Sequence, residues 1–228
     1  VQKTAEDICG FLKQQNVPTI AGISAEHKDI SELHEAFSEC SEALDMQSSG
    51  TSTDTCLLYR DDEKMAHPEW IREDEFMFRI ESGDVDAVNS LMDDLFEFYK
   101  TAPECTLGAI KYHCYRLSGL CRNILSYYFK QDIKESSTSM QNVVRMLFSQ
   151  DEVREYYRNF FMNICALLSP KSVYLSDDPV EKLKIYVERN YQKELSFEFL
   201  SSLFYMNRSY LSHLFKQKTG ENFVDYVN

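Results

Sequence analysis

Residues Leu195–Gly220 read LSFEFLSSLFYMNRSYLSHLFKQKTG and carry the clearest structural pattern in the chain. Ser196 can cap a first short helix, after which Tyr205-Met206 turns the chain, and Asn207 can cap a second helix. Gly220 stops the second helix, because glycine suits the left-handed exit of a helix. The apolar residues expected to face inward are Phe199, Leu200 and Leu203 in the first helix and Leu211, Leu214 and Phe215 in the second.

The second predicted helix keeps short polar and basic side chains on its outer face. These are Arg208, Ser209, Ser212, His213, Lys216 and Lys218. A helix-turn-helix divides its work in this way, because one helix braces while the next offers such side chains to the major groove. The plainer interpretation makes the serines and His213 ordinary solvent-facing residues and Arg208 and Lys216 simple surface charges. Since Arg208 and Lys216 flank the outer face, we expect them to contact phosphates.

A series of residues in register extends this pattern: Leu200, Ser201, Tyr205, Met206, Asn207, Ser209-Tyr210-Leu211-Ser212, Leu214-Phe215-Lys216, Thr219-Gly220, Phe223 and Tyr226. Over about 50 residues, including the preceding Lys182–Tyr191 helix, the segment resembles the first helix-turn-helix of the AraC family of transcription regulators. The resemblance implies sequence-specific DNA binding. By position, Arg208, Ser209, Ser212 and His213 fall where the family's recognition helix approaches bases and phosphates, and Lys216 falls near the DNA backbone.

The segment departs from the family at its end. The family pairs two helix-turn-helix units on one connecting helix, and this sequence stops at Asn228, inside what should be that helix. A single unit makes few phosphate and base contacts. We therefore expect this chain alone to bind DNA weakly or undetectably, and the parent protein to bind specifically.

Residues 63–170 are predicted to form an acidic bundle of about five helices. Ser82-Gly83-Asp84 ends one helix and starts the next, because Gly suits the left-handed exit and Asp caps the following N-terminus. The helices expected after it span Val85–Tyr99, Leu107–Phe129, Gln141–Phe148 and Glu152–Leu168. With Ile80–Asp84 and the amphipathic helix that follows, this stretch resembles the helical linker of YesN-type response regulators of two-component systems.

Residues 1–62 predict a small α/β remnant. Helical spacing covers Thr4–Gln15 and Ile30–Met46, and the apolar runs Val17–Ser24 and Cys56–Tyr59 suit two strands that can pair. Two strands and two helices make a poor core on their own. The segment resembles the last part of a degenerate GGDEF-like nucleotide-cyclase fold, but the GGDEF signature and the metal-binding aspartate pair are missing, so no cyclase activity is implied.

Composition agrees with a mainly α protein, because Gly (7) and Pro (5) are scarce while Phe (15) and Tyr (14) are abundant. The predicted order is the remnant at 1–62, the bundle at 63–170, a linker at Ser169–Ser176 and a three-helix helix-turn-helix subdomain at 177–228. Charge is uneven. Residues 1–177 hold 17 Lys+Arg and 30 Asp+Glu, whereas residues 178–228 hold seven of each. Because phosphate attraction is local, a net charge of −13 still permits DNA binding at the C-terminal end.

Other function classes find little support in the sequence. The chain has no phosphate-binding Gly-rich loop, no GxSxG and no HExxH, and its seven scattered cysteines include no CxxC pair. We therefore expect no enzyme activity, no cofactor and no metal, and a cytoplasmic protein with reduced thiols. The acidic runs Glu73-Asp74-Glu75 and Asp93-Asp94 are interpreted as solvated helix faces.

The main alternative is a sensing or dimerisation module that does not bind DNA by itself. In this interpretation the acidic bundle receives a signal from an upstream receiver domain or a sensor kinase, and the chain forms a homodimer. Changing Leu95 or Phe98 would then alter dimerisation. Both descriptions can hold for one parent protein.

Overall fold

The computed structural model describes residues 1–17, 19–48, 56–61, 67–130 and 137–227, with the backbone alone at 137–139. The fold is mainly α with one small two-stranded sheet, as predicted. In chain order the elements are α1 (Gln2–Gln14), β1 (Ala21–Ile23), α2 (Leu33–Asp45), β2 (Cys56–Leu58), α3 (Glu73–Ser82), α4 (Val85–Thr101), α5 (Leu107–Phe129), α6 (Ser137–Arg145), α7 (Gln150–Leu168), α8 (Pro179–Asn190), α9 (Phe197–Leu203), α10 (Arg208–Thr219) and α11 (Phe223–Val227).

In the N-terminal segment, β1 and β2 pair in parallel, with Ala21 opposite Cys56 and Ile23 opposite Leu58. The predicted strand at 17–24 is confirmed only in its second half, and its Pro18 lies outside the described residues. Gly22 lets α2 approach the sheet, because a Cβ at this position would lie 2.2 Å from the carbonyl oxygen of Cys40. The segment has a very small core.

The bundle consists of α3 to α7 and has one large apolar core, and α4 and α5 match their predicted spans closely. The break between α3 and α4 is confirmed: Gly83 has φ +74°, and the Asp84 side chain accepts a hydrogen bond from the amide of Ala87. The prediction for α6 at 141–148 was displaced, since the helix ends at Arg145. Ser149 and Glu152 then form a capping box that starts α7. The predicted boundary at 62/63 lies outside the described residues.

The acidic runs keep part of their solvated character, since Asp93 and Asp94 are exposed, but they also have partners on neighbouring helices. Glu73 forms an ion pair with Arg116, and Asp74 forms one with Lys193. The side chains of the other run are also partnered: Asp93 pairs with Arg158, and Asp94 accepts a hydrogen bond from the indole of Trp70. Helical spacing places such carboxylates on the outside of their own helix, but neighbouring helices supply the cations.

The C-terminal unit consists of α8 to α11, and the segment before it is packed rather than extended as a linker. A short 3-10 turn covers Ser169–Lys171, and Ser172 and Tyr174 are buried. Tyr174 belongs to the core of the C-terminal unit. The predicted linker at 169–176 therefore joins the bundle firmly to the unit that follows.

A membrane-spanning helix is not found in the part of the chain that the structure describes, because its helices lack the required combination of length and apolar composition.

Candidate nucleic-acid interface

Helix α10 is fixed at both ends by local hydrogen bonds. The side chain of Asn207 accepts hydrogen bonds from the amides of Ser209 and Tyr210, at 2.9 and 3.3 Å. Gly220 ends the helix with φ +85° and donates its amide to the carbonyl of Lys216. The preceding α9 begins at Ser196, which caps the amide of Phe199. The predicted caps therefore set the start of α9 and both ends of α10.

The inner side of α10 is apolar, and its outer side is polar and basic. Leu211 and Phe215 are buried against α8, α9 and α11, and Leu214 is half-buried. At about 100° per residue, the five predicted site residues span an arc of about 140° on the opposite side. These residues are Arg208, Ser209, Ser212, His213 and Lys216, and every one of them is exposed.

Lys218 does not share this arc, contrary to the expectation from sequence. Its ammonium group forms an ion pair with Asp178, the residue that caps α8. The hydrogen bond from Lys218 lowers the pKa of the Asp178 carboxyl below its ordinary value. Lys218 therefore ties the end of α10 to the start of α8 and contributes little to the outer face.

Arg208 stands at the edge of the arc and forms an ion pair with Glu198 of α9. Both side chains are mostly exposed, so the pair is readily exchanged for a phosphate. Lys216 lies two turns further along the same face. Between the two cations, Ser212 and His213 offer a hydroxyl and an imidazole, which can hydrogen-bond to the edges of bases. This surface is suited to a polyanion with hydrogen-bonding groups between its charges.

The turn between α9 and α10 is strained and held by the bundle. Tyr205 has φ +52°, and the amides of Tyr205 and Met206 donate to the carbonyls of Ser202 and Ser201. This is the Schellman pattern, in which glycine usually occupies the left-handed position. The phenol of Tyr205 donates a hydrogen bond to Glu75 of α3, at 2.9 Å.

Helix α3 also enters the core of the C-terminal unit, which the sequence analysis did not predict. Phe78 is buried there, with ring centroids 4.9 Å from Tyr174, 5.5 Å from Tyr186 and 5.2 Å from Phe204. One signal was available in the sequence: Phe76 and Phe78 lie about 200° apart on a helix, so both sides of α3 carry large apolar residues. A helix with large apolar residues on two opposite sides is expected to pack against a different neighbour on each side.

Ion pairs close the remaining interface between α3 and the C-terminal unit. Arg189 approaches Glu81 at 2.6 Å, and Lys193 approaches Asp74 at 2.6 Å. Burial raises the pKa of the Glu81 carboxyl, while Arg189 acts in the opposite direction. Two cations of the C-terminal unit are therefore neutralised by the bundle and are not offered to an external partner.

Within the described ranges, His, Cys, Asp and Glu side chains form no group of three that could hold a metal ion.

Comparison with known proteins adds no assignment: no family model matches the chain, and neither a curated protein nor a solved structure does. A function for the outer face of α10 therefore has to be inferred from its own residues and geometry.

Proposed function

We propose that the chain belongs to a sequence-specific DNA-binding transcription regulator of the AraC type, with α10 as the recognition helix. The observation that carries this proposal is the composition of the outer face of α10. Arg208, Ser209, Ser212, His213 and Lys216 are all exposed on one side, and α10 contains no acidic residue. Helix α9 packs against α10, the start of α10 is capped, and a tight turn joins the two helices.

Each residue has a role in the proposal. Arg208 and Lys216 contact phosphates on either side of the helix, with Arg208 exchanging Glu198 for a phosphate oxygen. Ser209, Ser212 and His213 face base edges in the major groove. Because few cations take part, we expect weak binding by this chain, with non-specific Kd values of roughly 10⁻⁴ to 10⁻⁶ M.

The bundle has the regulatory role in this proposal. Its link to the recognition helix is α3, which contributes Phe76 to the bundle core and Phe78 to the core of the C-terminal unit. Leu95 is fully buried and Phe98 is packed against the bundle core, so substituting them probes stability instead of a dimer surface. A regulator of this kind acts in the cytoplasm, in contact with DNA.

Selection from a pool of randomised DNA duplexes, followed by fluorescence anisotropy at about 50 mM salt, tests the proposal. We expect Lys216→Ala to weaken binding to all duplexes and to reduce the slope of log K against log salt by about 1. We expect Ser212→Ala and His213→Ala to change the selected sequence while leaving the salt slope unchanged.

Lys13→Ala is the matched control, because Lys13 is an exposed lysine on α1, outside the C-terminal unit. It should alter neither the affinity nor the selected sequence. If no sequence is enriched after several rounds, or if Lys13→Ala and Lys216→Ala weaken binding equally, α10 is ruled out as the DNA-reading helix.

A further inference from the structure

We propose that Arg79 of α3 is the positioning residue for the turn between α9 and α10, so that the bundle sets the orientation of the recognition helix. The inference rests on the proposed function for its meaning, since it concerns how the DNA-reading face is held. The contacts between Arg79 and the turn can be tested without DNA. It assigns to the bundle a specific side chain that acts on the turn.

The Arg79 side chain is buried, with 8% of the residue exposed, and its guanidinium lies against the turn. Nη2 donates a hydrogen bond of 2.5 Å to the carbonyl oxygen of Leu203, the last residue of α9. The carbonyls of the last helical turn lack partners within their own helix. A cation at this end also interacts favourably with the helix dipole. Arg79 therefore completes the end of α9 from outside the C-terminal unit.

The same guanidinium stacks on the residue that carries the strain. Its Cζ lies 4.3 Å from the ring centroid of Tyr205, and the Tyr205 phenol is held by Glu75 one helical turn earlier on α3. Tyr205 has no glycine-like freedom at φ +52°, so the left-handed conformation has to be maintained by such contacts. Two residues after Tyr205, Asn207 starts the recognition helix.

Helix α3 is itself packed into the bundle core, so it can transmit a displacement within the bundle to the turn. Phe76 and Ile80 are fully buried in the bundle core, on the side of α3 away from Phe78. At the C-terminal end of α3, a Cβ at Gly83 would lie 2.5 Å from the Cα of Ser169. A shift of α3 within the bundle therefore moves Arg79 and Glu75 together against the turn.

Burying a guanidinium is costly unless its hydrogen bonds are satisfied. The Nε of Arg79 has no hydrogen-bond partner among the described residues, and the nearest carboxylate, Asp84, is 3.6 Å from Nη1. Stability alone would favour an apolar side chain beside Phe78. Apart from the ion pair with Asp84, the side-chain hydrogen bond and the closest ring contact of Arg79 are directed at Leu203 and Tyr205 in the turn region.

Amide hydrogen exchange on the whole chain tests the inference without DNA. We expect Arg79→Met to accelerate exchange of the amides at 204–211 by about tenfold or more, because the variant loses a buried charge-assisted hydrogen bond. Exchange in α4 and α7 should stay within about twofold of the wild type. Arg79→Lys keeps a cation and a donor and should recover part of the protection.

Two further variants keep the result interpretable. Arg158→Met removes a bundle ion pair with Asp93, and we expect it to leave the 204–211 amides unchanged. Tyr205→Phe alters an exposed side chain, keeps the ring stack and removes the hydroxyl that bonds to Glu75, so it should fold and should accelerate exchange in the turn alone. Uniform acceleration across bundle and C-terminal unit in Arg79→Met, or no change in the turn in either variant, would overturn the inference.

The duplex selection separates this inference from the proposed function. If wild-type protein selects no sequence but Arg79→Met loosens the turn, the positioning role stands and the DNA-binding proposal fails. If wild-type protein selects a sequence, Arg79→Met should broaden that preference. An unchanged preference together with an unchanged turn would remove the positioning role and leave DNA binding intact.

Discussion

The N-terminal segment (residues 1–61) and the remainder of the described chain (67–227) differ in how they complete their cores. Helices α1 and α2 carry apolar residues at helical spacing, yet Phe11, Leu33 and Phe37 remain exposed. Helix α3, in contrast, buries Phe76 on one side and Phe78 on the other. The comparison teaches that an apolar pattern specifies which residues can be buried, while the number of neighbouring elements decides which of them are.

The largest difference in stability is expected between alanine substitutions of one aromatic residue in each of the two regions. Phe78→Ala removes a ring from a packed core and should lower the free energy of unfolding of the C-terminal unit by about 3–5 kcal/mol. Phe37→Ala removes a ring that is 54% exposed and should change stability by less than about 0.5 kcal/mol. Urea denaturation with hydrogen exchange measures both. Equal losses of stability in the two variants would show that the two regions do not differ in how their cores are completed.

The joint between the two regions offers a second test. Lys111 of α5 is buried and pairs with Asp45 of α2 at 2.6 Å. Asp45→Ala leaves the ammonium group buried without its partner and should cost about 3 kcal/mol. Lys111→Met should cost less, because Asp45 is partly exposed and its carboxylate can be hydrated. Thermal unfolding of the two variants would contradict this assignment if Lys111→Met proved the more damaging.

Two histidines should give pH dependences of opposite sign. Burial lowers the pKa of His113 from 6.5 to about 4, so protonation opposes folding. Its stabilising contribution is complete above pH 6.5 and is lost as the pH falls towards 4, by at most about 3 kcal/mol. His27 lies in the N-terminal segment, where its hydrogen bond to Glu39 raises its pKa. Its contribution is complete below pH 6.5 and is lost as the pH rises through the raised pKa.

Unfolding of His113→Phe and His27→Gln between pH 4 and pH 8 measures these contributions as differences from the wild type. His113→Phe should reduce the loss of stability in acid, whereas His27→Gln should reduce the loss on the alkaline side. The same sign for both variants would contradict either the burial of His113 or the hydrogen bond between His27 and Glu39.

The smallest effects are expected at two glycines. Gly83→Ala places a Cβ 2.5 Å from the Cα of Ser169 at φ +74° and should destabilise the bundle by about 1–3 kcal/mol. Gly10→Ala lies in α1, where a Cβ meets no atom within 4 Å, and should stabilise by about 0.5–1 kcal/mol. Thermal unfolding compares them. A stabilising Gly83→Ala would show that α3 and the 3-10 turn are not closely packed.

Much of the local structure was predictable, because local interactions determine it. The Asn207 cap, the Gly220 exit and the Ser82-Gly83-Asp84 break each depend on residues within one helical turn. The turn at Tyr205-Met206 was predicted as well, but its left-handed conformation was not, since Tyr205 is not a glycine. Its supporting contacts come from α3, more than a hundred residues earlier in the chain.

The candidate site divides in the same way. Helical spacing was enough to place Arg208, Ser209, Ser212, His213 and Lys216 on one face. Lys218 was expected on the same face, but at about 100° per residue it lies outside that arc, where it pairs with Asp178. The neutralisation of Lys193 by Asp74 was likewise invisible in the sequence, because a charge pattern does not reveal which helix lies opposite.

The sequence by itself determined the mainly helical class, the boundaries set by caps and glycines, and the polar face of α10. Only the tertiary structure decided that α3 belongs to two cores, that the acidic runs are ion-paired and that 169–176 is packed against its neighbours. The physical reason is the separation along the chain over which each kind of interaction acts. Caps and helical faces depend on backbone geometry over a few residues, whereas burial and ion pairing depend on which distant elements the fold brings together.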